Sequence, residues 1–385
     1  MVKSTLAEHP STTVSASLDL PRHRLIYEEL LQEIRIGVYK PGDRLPSEAA
    51  LCERFDASRI TVAKAIQTLQ QQKLVSRRPG SGTYVEAPQT EASLQFGLLI
   101  PDLGTTEIFE PICQGMMRSP LGKSHSLIWG HSATGEEDRE SAAEHLCRKY
   151  IAQKVSGVFF APIEFTPTKD VANRRIISAL RQAGIPVVLL DRCVEQYPSR
   201  SPFDLVGIDN HRAGYVLTHH LLQLGARRIL FAARTDAAST VGERIAGYFD
   251  ALRDQPEDHG SVCTVDFGDA DAVSAVLHAQ RPDAFVCAND LIAAQLMKTL
   301  ELLGVSIPQQ IRIVGIDDVN YAKFLPVPLT TIRQDCSEIG AVAMSTMLDR
   351  LDRPTRPARD ILVHFDLIVR ASCGARPSQC SGGPA

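Results

Sequence analysis

No run of residues is long and apolar enough to span a bilayer, and the Ser/Thr-rich first 20 residues lack the apolar stretch of a signal peptide. Residues 1–20 are therefore expected to be a disordered leader, with no membrane partner. Nine cysteines are present, but they form no Cys-x-x-Cys pair and follow no regular spacing, so they read as reduced thiols of a cytoplasmic protein. Three catalytic patterns each lack a part. Gly122-Lys123-Ser124 has the end of a phosphate-binding loop, yet Met117 stands at its first glycine position and no strand precedes it. Gly130-His131-Ser132-Ala133-Thr134 opens like a nucleophile elbow without the closing glycine. His219 and His220 are adjacent on an expected helix, so they diverge, and no further metal-ligand cluster accompanies them. No catalytic residue, cofactor or metal is expected.

What is present is an ordinary globular composition, 44% hydrophobic and 22% charged, over 385 residues, enough for two or three domains with full cores. The net charge of −4 is unevenly spread. Residues 21–85 hold 11 Lys+Arg against 7 Asp+Glu, whereas the remainder holds 30 against 38. The basic part is also the most patterned. Ser47 is a good N-cap, Glu48 sits where the helix dipole favours an anion, and Leu51 and Phe55 recur at helical spacing. Asp56-Ala57 is a turn, and Ser58 caps a second helix with Val62, Ala65, Ile66 and Leu69 on its apolar face and Arg59, Thr61 and Lys64 outward near its start. Residues 76–85 read as two strands around a Gly-rich turn, with Arg77 and Arg78 beside it. Residues 22–36, with Leu25, Ile26, Leu30, Leu31 and Ile34 at helical spacing, supply a first helix that Gly37 ends. The order of these pieces is that of a winged helix-turn-helix, whose partner is duplex DNA. Arg59 is the strongest base-reading candidate.

Pro41-Gly42, Leu45-Pro46-Ser47-Glu48, Ser58-Arg59-Ile60-Thr61-Val62 and Gly80-Ser81-Gly82-Thr83-Tyr84-Val85 resemble the DNA-binding domain of the GntR family over residues 21–87. The resemblance implies a DNA-contacting set of Arg44, Ser47, Ser58, Arg59, Thr61, Lys64, Arg77, Arg78, Gly80, Gly82 and Thr83. Ala49 and Ala63 stand where the family usually has arginine, so those two contacts do not carry over.

After a linker at 88–94 the texture changes to strands at residues 96–100, 126–129, 157–161, 186–190, 205–208, 228–232, 284–288 and 312–315, most followed by helical periodicity. The expected fold class is α/β: an N-terminal winged helix-turn-helix plus a doubly wound α/β domain, whose ligand binds beyond the carboxyl ends of its strands. Asp102 and Glu107-Ile108-Phe109, His131 and Ser132, Asp191-Arg192, Asp209-Asn210, Asn289-Asp290 and Asp317-Asp318 occupy those ends. Carboxylates, amides and a guanidinium beside a ring suit a polyhydroxylated ligand. Asp209-Asn210 is read as capping a helix and bracing a hinge rather than touching ligand. Asp290 is either an N-cap or, since Asn289 already has that chemistry, a ligand contact, and Trp129 lines either the cleft or the core.

Ile185-Pro186-Val187-Val188 leading to Asp191-Arg192, Val206-Gly207-Ile208-Asp209-Asn210, Arg244-x-x-Gly247, Ala288-Asn289-Asp290, Val314-Gly315-Ile316-Asp317-Asp318 and Leu329-Thr330-Thr331-Ile332 resemble the effector domains of the LacI/GalR family and the periplasmic sugar-binding proteins over residues 95–370. The resemblance implies two lobes with crossovers near Gly207 and Thr331, dimerisation through this domain, and effector contacts from Phe109, Arg192, Arg244 and Asp290 with Asn289 and Asp317 behind them; residues 371–385 are expected to be a disordered tail. The combination resembles arabinose-type repressors, implying a homodimeric regulator on a pseudo-palindromic operator, controlled by a sugar. The alternative is the same DNA reader fused to an α/β metabolic enzyme.

Overall fold

The structure is a computed structural model that describes residues 21–35, 37–86, 93–100, 103, 107–130, 139–195, 198–253 and 260–375. Expectations for the leader, for Asp102, His131 and Ser132, and for most of the linker lie outside the described residues. The chain divides into two compact units, residues 1–92 and 93–385.

In the first unit, α1 (Arg22–Arg35), α2 (Glu48–Phe55) and α3 (Arg59–Gln71) are followed by the antiparallel pair β1 (Val75–Arg78) and β2 (Gly82–Val85). The apolar faces expected from spacing meet: Ile26, Leu30, Leu51, Val62, Ile66 and Leu69 close one core with Val75 and Val85. Leu45 joins it from the turn before α2, where Gly42 N–H donates to Val85 O (2.8 Å) and Leu45 N–H to Thr83 O (2.9 Å). That short pairing ties residues 42–45 to the wing.

The second unit runs β3 (Gln95–Leu99), α4 (Phe109–Arg118), β4 (Ser126–Ile128), α5 (Arg139–Gln153), β5 (Gly157–Phe160), α6 (Lys169–Gln182), β6 (Val187–Leu190) and β7 (Asp204–Gly207). It continues with α7 (Asn210–Gln223), β8 (Ile229–Ala232), α8 (Ser239–Leu252), β9 (Ser261–Cys263), α9 (Ala270–Gln280), β10 (Ala284–Cys287), α10 (Asp290–Leu302) and β11 (Arg312–Asp317). β12 (Thr330–Gln334), α11 (Cys336–Asp352), β13 (Asp360–Leu362) and β14 (Phe365–Ile368) complete it. One lobe holds an all-parallel sheet in the order β13-β7-β6-β5-β3-β4. The other holds β14-β12-β11-β10-β8-β9, parallel except for the antiparallel edge β14. Alternation along the first sheet splits its apolar side chains by face: Phe96, Leu98 and Phe159 pack with Ile112 and Met344 of α4 and α11, whereas Leu99, Val158 and Phe160 pack with Cys147 and Ile176 of α5 and α6. Helices thus cover both faces.

The chain passes between lobes three times, from β7 to α7, from β12 to α11 and from β13 to β14. Part of the segment expected as a disordered tail is ordered, and residues 376–385 lie outside the described residues. Residues Ala371–Cys373 form a 3-10 turn whose fully buried Ser372 accepts from Thr330 N (2.8 Å) and donates to Ile313 O (2.6 Å). Trp129 lies beyond the end of β4 and is 62% exposed, so it is not core.

Candidate functional site

On the first unit, Ser47 accepts from Ala50 N (3.2 Å) and Ser58 from Thr61 N (3.3 Å), and the Ser58 and Thr61 hydroxyls are 2.8 Å apart. These three side chains hold the helix starts, leaving only residual hydroxyl capacity for a phosphate. Asp56 turns the chain in the left-handed region at φ 45°. With its apolar side buried, α3 leaves Arg59, Ile60 and Lys64 exposed. Arg59 lies against Glu48 at the start of α2 (Nε to Oε2, 3.4 Å), and the other oxygen of Glu48 meets Arg77 of the wing (3.2 Å). Arg77 stands opposite Thr83, Arg78 stacks on Tyr84 at 4.5 Å, and Gly80 makes the tip at φ +74°. Arg44 crosses Gly82 so closely that a Cβ there would sit 2.5 Å from the guanidinium, and Gly82 has φ +126°. Ten of the eleven expected DNA residues lie on the helix starts, α3 or the wing, while Arg44 approaches from the preceding turn.

In the second unit the strand ends bring a polar set together between the lobes. Arg192, after β6, is buried, pairs with Glu164 and lies over the Phe109 ring at 5.3 Å. Arg244 of α8 donates from Nε to Asn210 Oδ1 (2.8 Å) and from Nη1 to Ala288 O (2.7 Å). Asp191 has φ +66°, and its buried Oδ1 has no partner among the described residues; the same holds for Gln334 Oε1, whose Nε2 donates to Asp317 Oδ1 (2.7 Å). Burial pushes the Asp191 and Asp317 carboxyls up; Arg244 opposes that for both, and Arg192 also does for Asp191.

Asn289 is an N-cap, accepting from Ile292 N at 2.9 Å. Asp290 is wholly buried: Oδ1 accepts from the Thr331 hydroxyl (2.6 Å) and Oδ2 from Val319 N (3.1 Å). In this conformation Asp290 braces the strand that leads to the second crossover. Asp209 caps α7 through Arg212 N (2.8 Å), while its neighbour Asn210 holds Arg244. Reading the sequence alone missed Glu164, Asn210 as the Arg244 anchor, and Gln334. The strand-end rule could have found Gln334, had Thr330–Gln334 been read as a strand.

Residues 23–85 match the model of the bacterial regulatory proteins of the gntR family, and residues 218–373 that of a periplasmic binding protein-like domain. The chain thus joins a GntR helix-turn-helix domain to a LacI-like periplasmic binding protein-like domain, the make-up of a transcriptional regulator. The regulator is 28% identical to the arabinose metabolism transcriptional repressor of Geobacillus stearothermophilus, over 92% of its own length and 98% of that protein. It is 26% identical to the ribose operon repressor of Escherichia coli K12, over 72% and 81%. Its fold is similar to that of a LacI family regulator from Enterococcus faecium solved with bound ribose, at TM-score 0.58 and 25% identity over 72% of the regulator and 98% of that chain.

Proposed function

We propose that this regulator is a cytoplasmic homodimer that represses carbohydrate-utilisation genes from a pseudo-palindromic operator, and that a sugar held between the lobes changes its grip on that operator. The observation that carries the reading is the pair of buried, unsatisfied acceptors, Asp191 Oδ1 and Gln334 Oε1, in the same inter-lobe region as Arg192 and Arg244. A ligand with vicinal hydroxyls supplies donors to the two oxygens and acceptors to the guanidinium groups. The full-length similarity to an arabinose repressor supports a pentose as the first class to try. The dimer follows from symmetry, since one winged domain reads one half-site. We assign no catalytic role.

Calorimetric titration of the full chain with arabinose, ribose, xylose and glucose tests the sensor. One sugar is expected to bind and, at ~100 times its dissociation constant, to stabilise the protein by about 2.7 kcal/mol. Arg192→Ala should weaken that sugar by ~10- to 150-fold, because a hydrogen bond to a charged group contributes about 1.5–3 kcal/mol, while sugar-free operator binding stays unchanged. Indifference to every sugar, in a chain that still binds its operator, overturns the sugar reading.

A further inference from the structure

Among the described residues, Glu48 is the one carboxylate that pairs with both DNA-facing elements of the first unit, with Arg59 of α3 and Arg77 of the wing. Its side chain is 18% exposed, while the arginines on its two oxygens, Arg59 and Arg77, are 83% and 62% exposed. The anchored member of this triad is therefore the acid. Glu48 opens α2 beside the Ser47 cap, where the positive end of the helix favours an anion.

We propose that Glu48 is a positioning residue that sets base specificity by fixing the plane of the Arg59 guanidinium. The donor of Arg59 turned to Glu48 is Nε, which leaves the two Nη groups as a free fork. That fork matches O6 and N7 of a guanine, the pair a bidentate arginine reads in the major groove. An arginine fixed at Nε loses less rotamer freedom on meeting the base, so discrimination rises without a new contact to DNA. The absence of arginine at Ala49 and Ala63 concentrates base reading on Arg59. The negative charge of Glu48 beside the phosphates also disfavours binding to arbitrary sequence.

This inference rests on α3 being the recognition helix, and the test separates the two. A duplex is selected by the wild-type full chain from a randomised pool. Anisotropy titrations then compare that duplex with a scrambled one for wild type, Glu48→Gln, Arg59→Ala and the double variant, beside melting curves. Glu48→Gln is expected to keep the wild-type melting temperature, bind the scrambled duplex several-fold more tightly and lose about tenfold in the ratio of selected to scrambled affinity. In the Arg59→Ala background it should change that ratio no further, because it acts through Arg59. A wild-type ratio in Glu48→Gln, beside a reduced one in Arg59→Ala, overturns the proposal. So does a loss that persists undiminished without Arg59, or equal loss on both duplexes with a lowered melting temperature. A wild type that selects no sequence, or an Arg59→Ala variant with full selectivity, overturns the recognition-helix reading itself.

Discussion

Asp290 shows how a single residue joins stability to the hinge. Burial pushes its carboxyl up to about 6; hydrogen bonds from Thr331 and Val319 pull the other way, as does Arg370, while Asp318 adds to the rise. The native state thus holds this proton more readily than the unfolded chain, so the contribution to stability is present in acid and is lost as pH rises through about 6. Asp290→Asn keeps the shape and an acceptor for the Val319 amide. It should raise the melting temperature above about pH 6 by a few degrees and flatten part of the decline between about pH 4 and 6, the share of Asp191 and Asp317 remaining. Calorimetry across pH checks this, and an unchanged slope would count against the assignment. On the DNA face, Arg59→Ala should cost ~1–3 kcal/mol and relax sequence preference, whereas Arg77→Ala should weaken all sequences alike and flatten the salt dependence; a gel-shift titration with unchanged operator affinity for Arg59→Ala would contradict the base-reading role. Arg59 could be read from its place in a capped helix. The bracing of Asp290 could not, since Thr331 and Val319 lie 41 and 29 residues away and no periodicity reports such a contact.

At the level of elements, paired glycines decide how helices cross. A Cβ on Gly214 of α7 would meet Arg244 O at 2.0 Å, and one on Gly247 of α8 would meet His211 O at 1.9 Å, so the two helices touch backbone to backbone. That approach brings Arg244 within 2.8 Å of Asn210. The same device recurs in the other lobe, where Gly115 of α4 would meet Ser337 O at 2.2 Å and Gly340 of α11 would meet Ile112 O at 2.0 Å. Gly242, on the same helix as Gly247, faces nothing within 4 Å. Gly247→Ala should therefore destabilise by ~1–3 kcal/mol through overpacking and weaken effector binding by shifting Arg244. Gly242→Ala should stabilise by about 0.5–1 kcal/mol through helix propensity. Urea melts of the two variants decide, and equal effects would refute the packing argument. The longer apolar strands and their helices were legible because they are buried on both faces. β9 and β13 were not, at three residues each, and β12 was hidden because Thr330, Thr331 and Gln334 put polar side chains on a buried strand where they bond across the hinge region.

Across the whole molecule, three passages between lobes make the sensor a hinged pair rather than two beads. The crossover region is stapled by Asp318, which accepts from Arg333 (2.6 Å) and Arg370 (2.5 Å), and by Thr330, which accepts from Arg370 N (2.8 Å). Lobes joined in this way can close about a ligand as rigid bodies. A sugar can alter operator binding only if it binds the open and closed forms unequally, and the coupling is reciprocal. If saturating sugar changes operator affinity by some factor, within the ~5- to 150-fold common for such coupling, the operator must change the sugar affinities of the dimer's two sites by factors whose product is the same. Titrating the sugar into the regulator with and without a saturating operator duplex gives one factor, and titrating operator with and without saturating sugar gives the other. Arg192→Ala should weaken sugar binding in both titrations while leaving the sugar-free operator curve in place. A factor of one in both titrations, with the sugar still bound, would mean that the sugar binds the open and closed forms equally well, and lobe closure would then not control DNA binding.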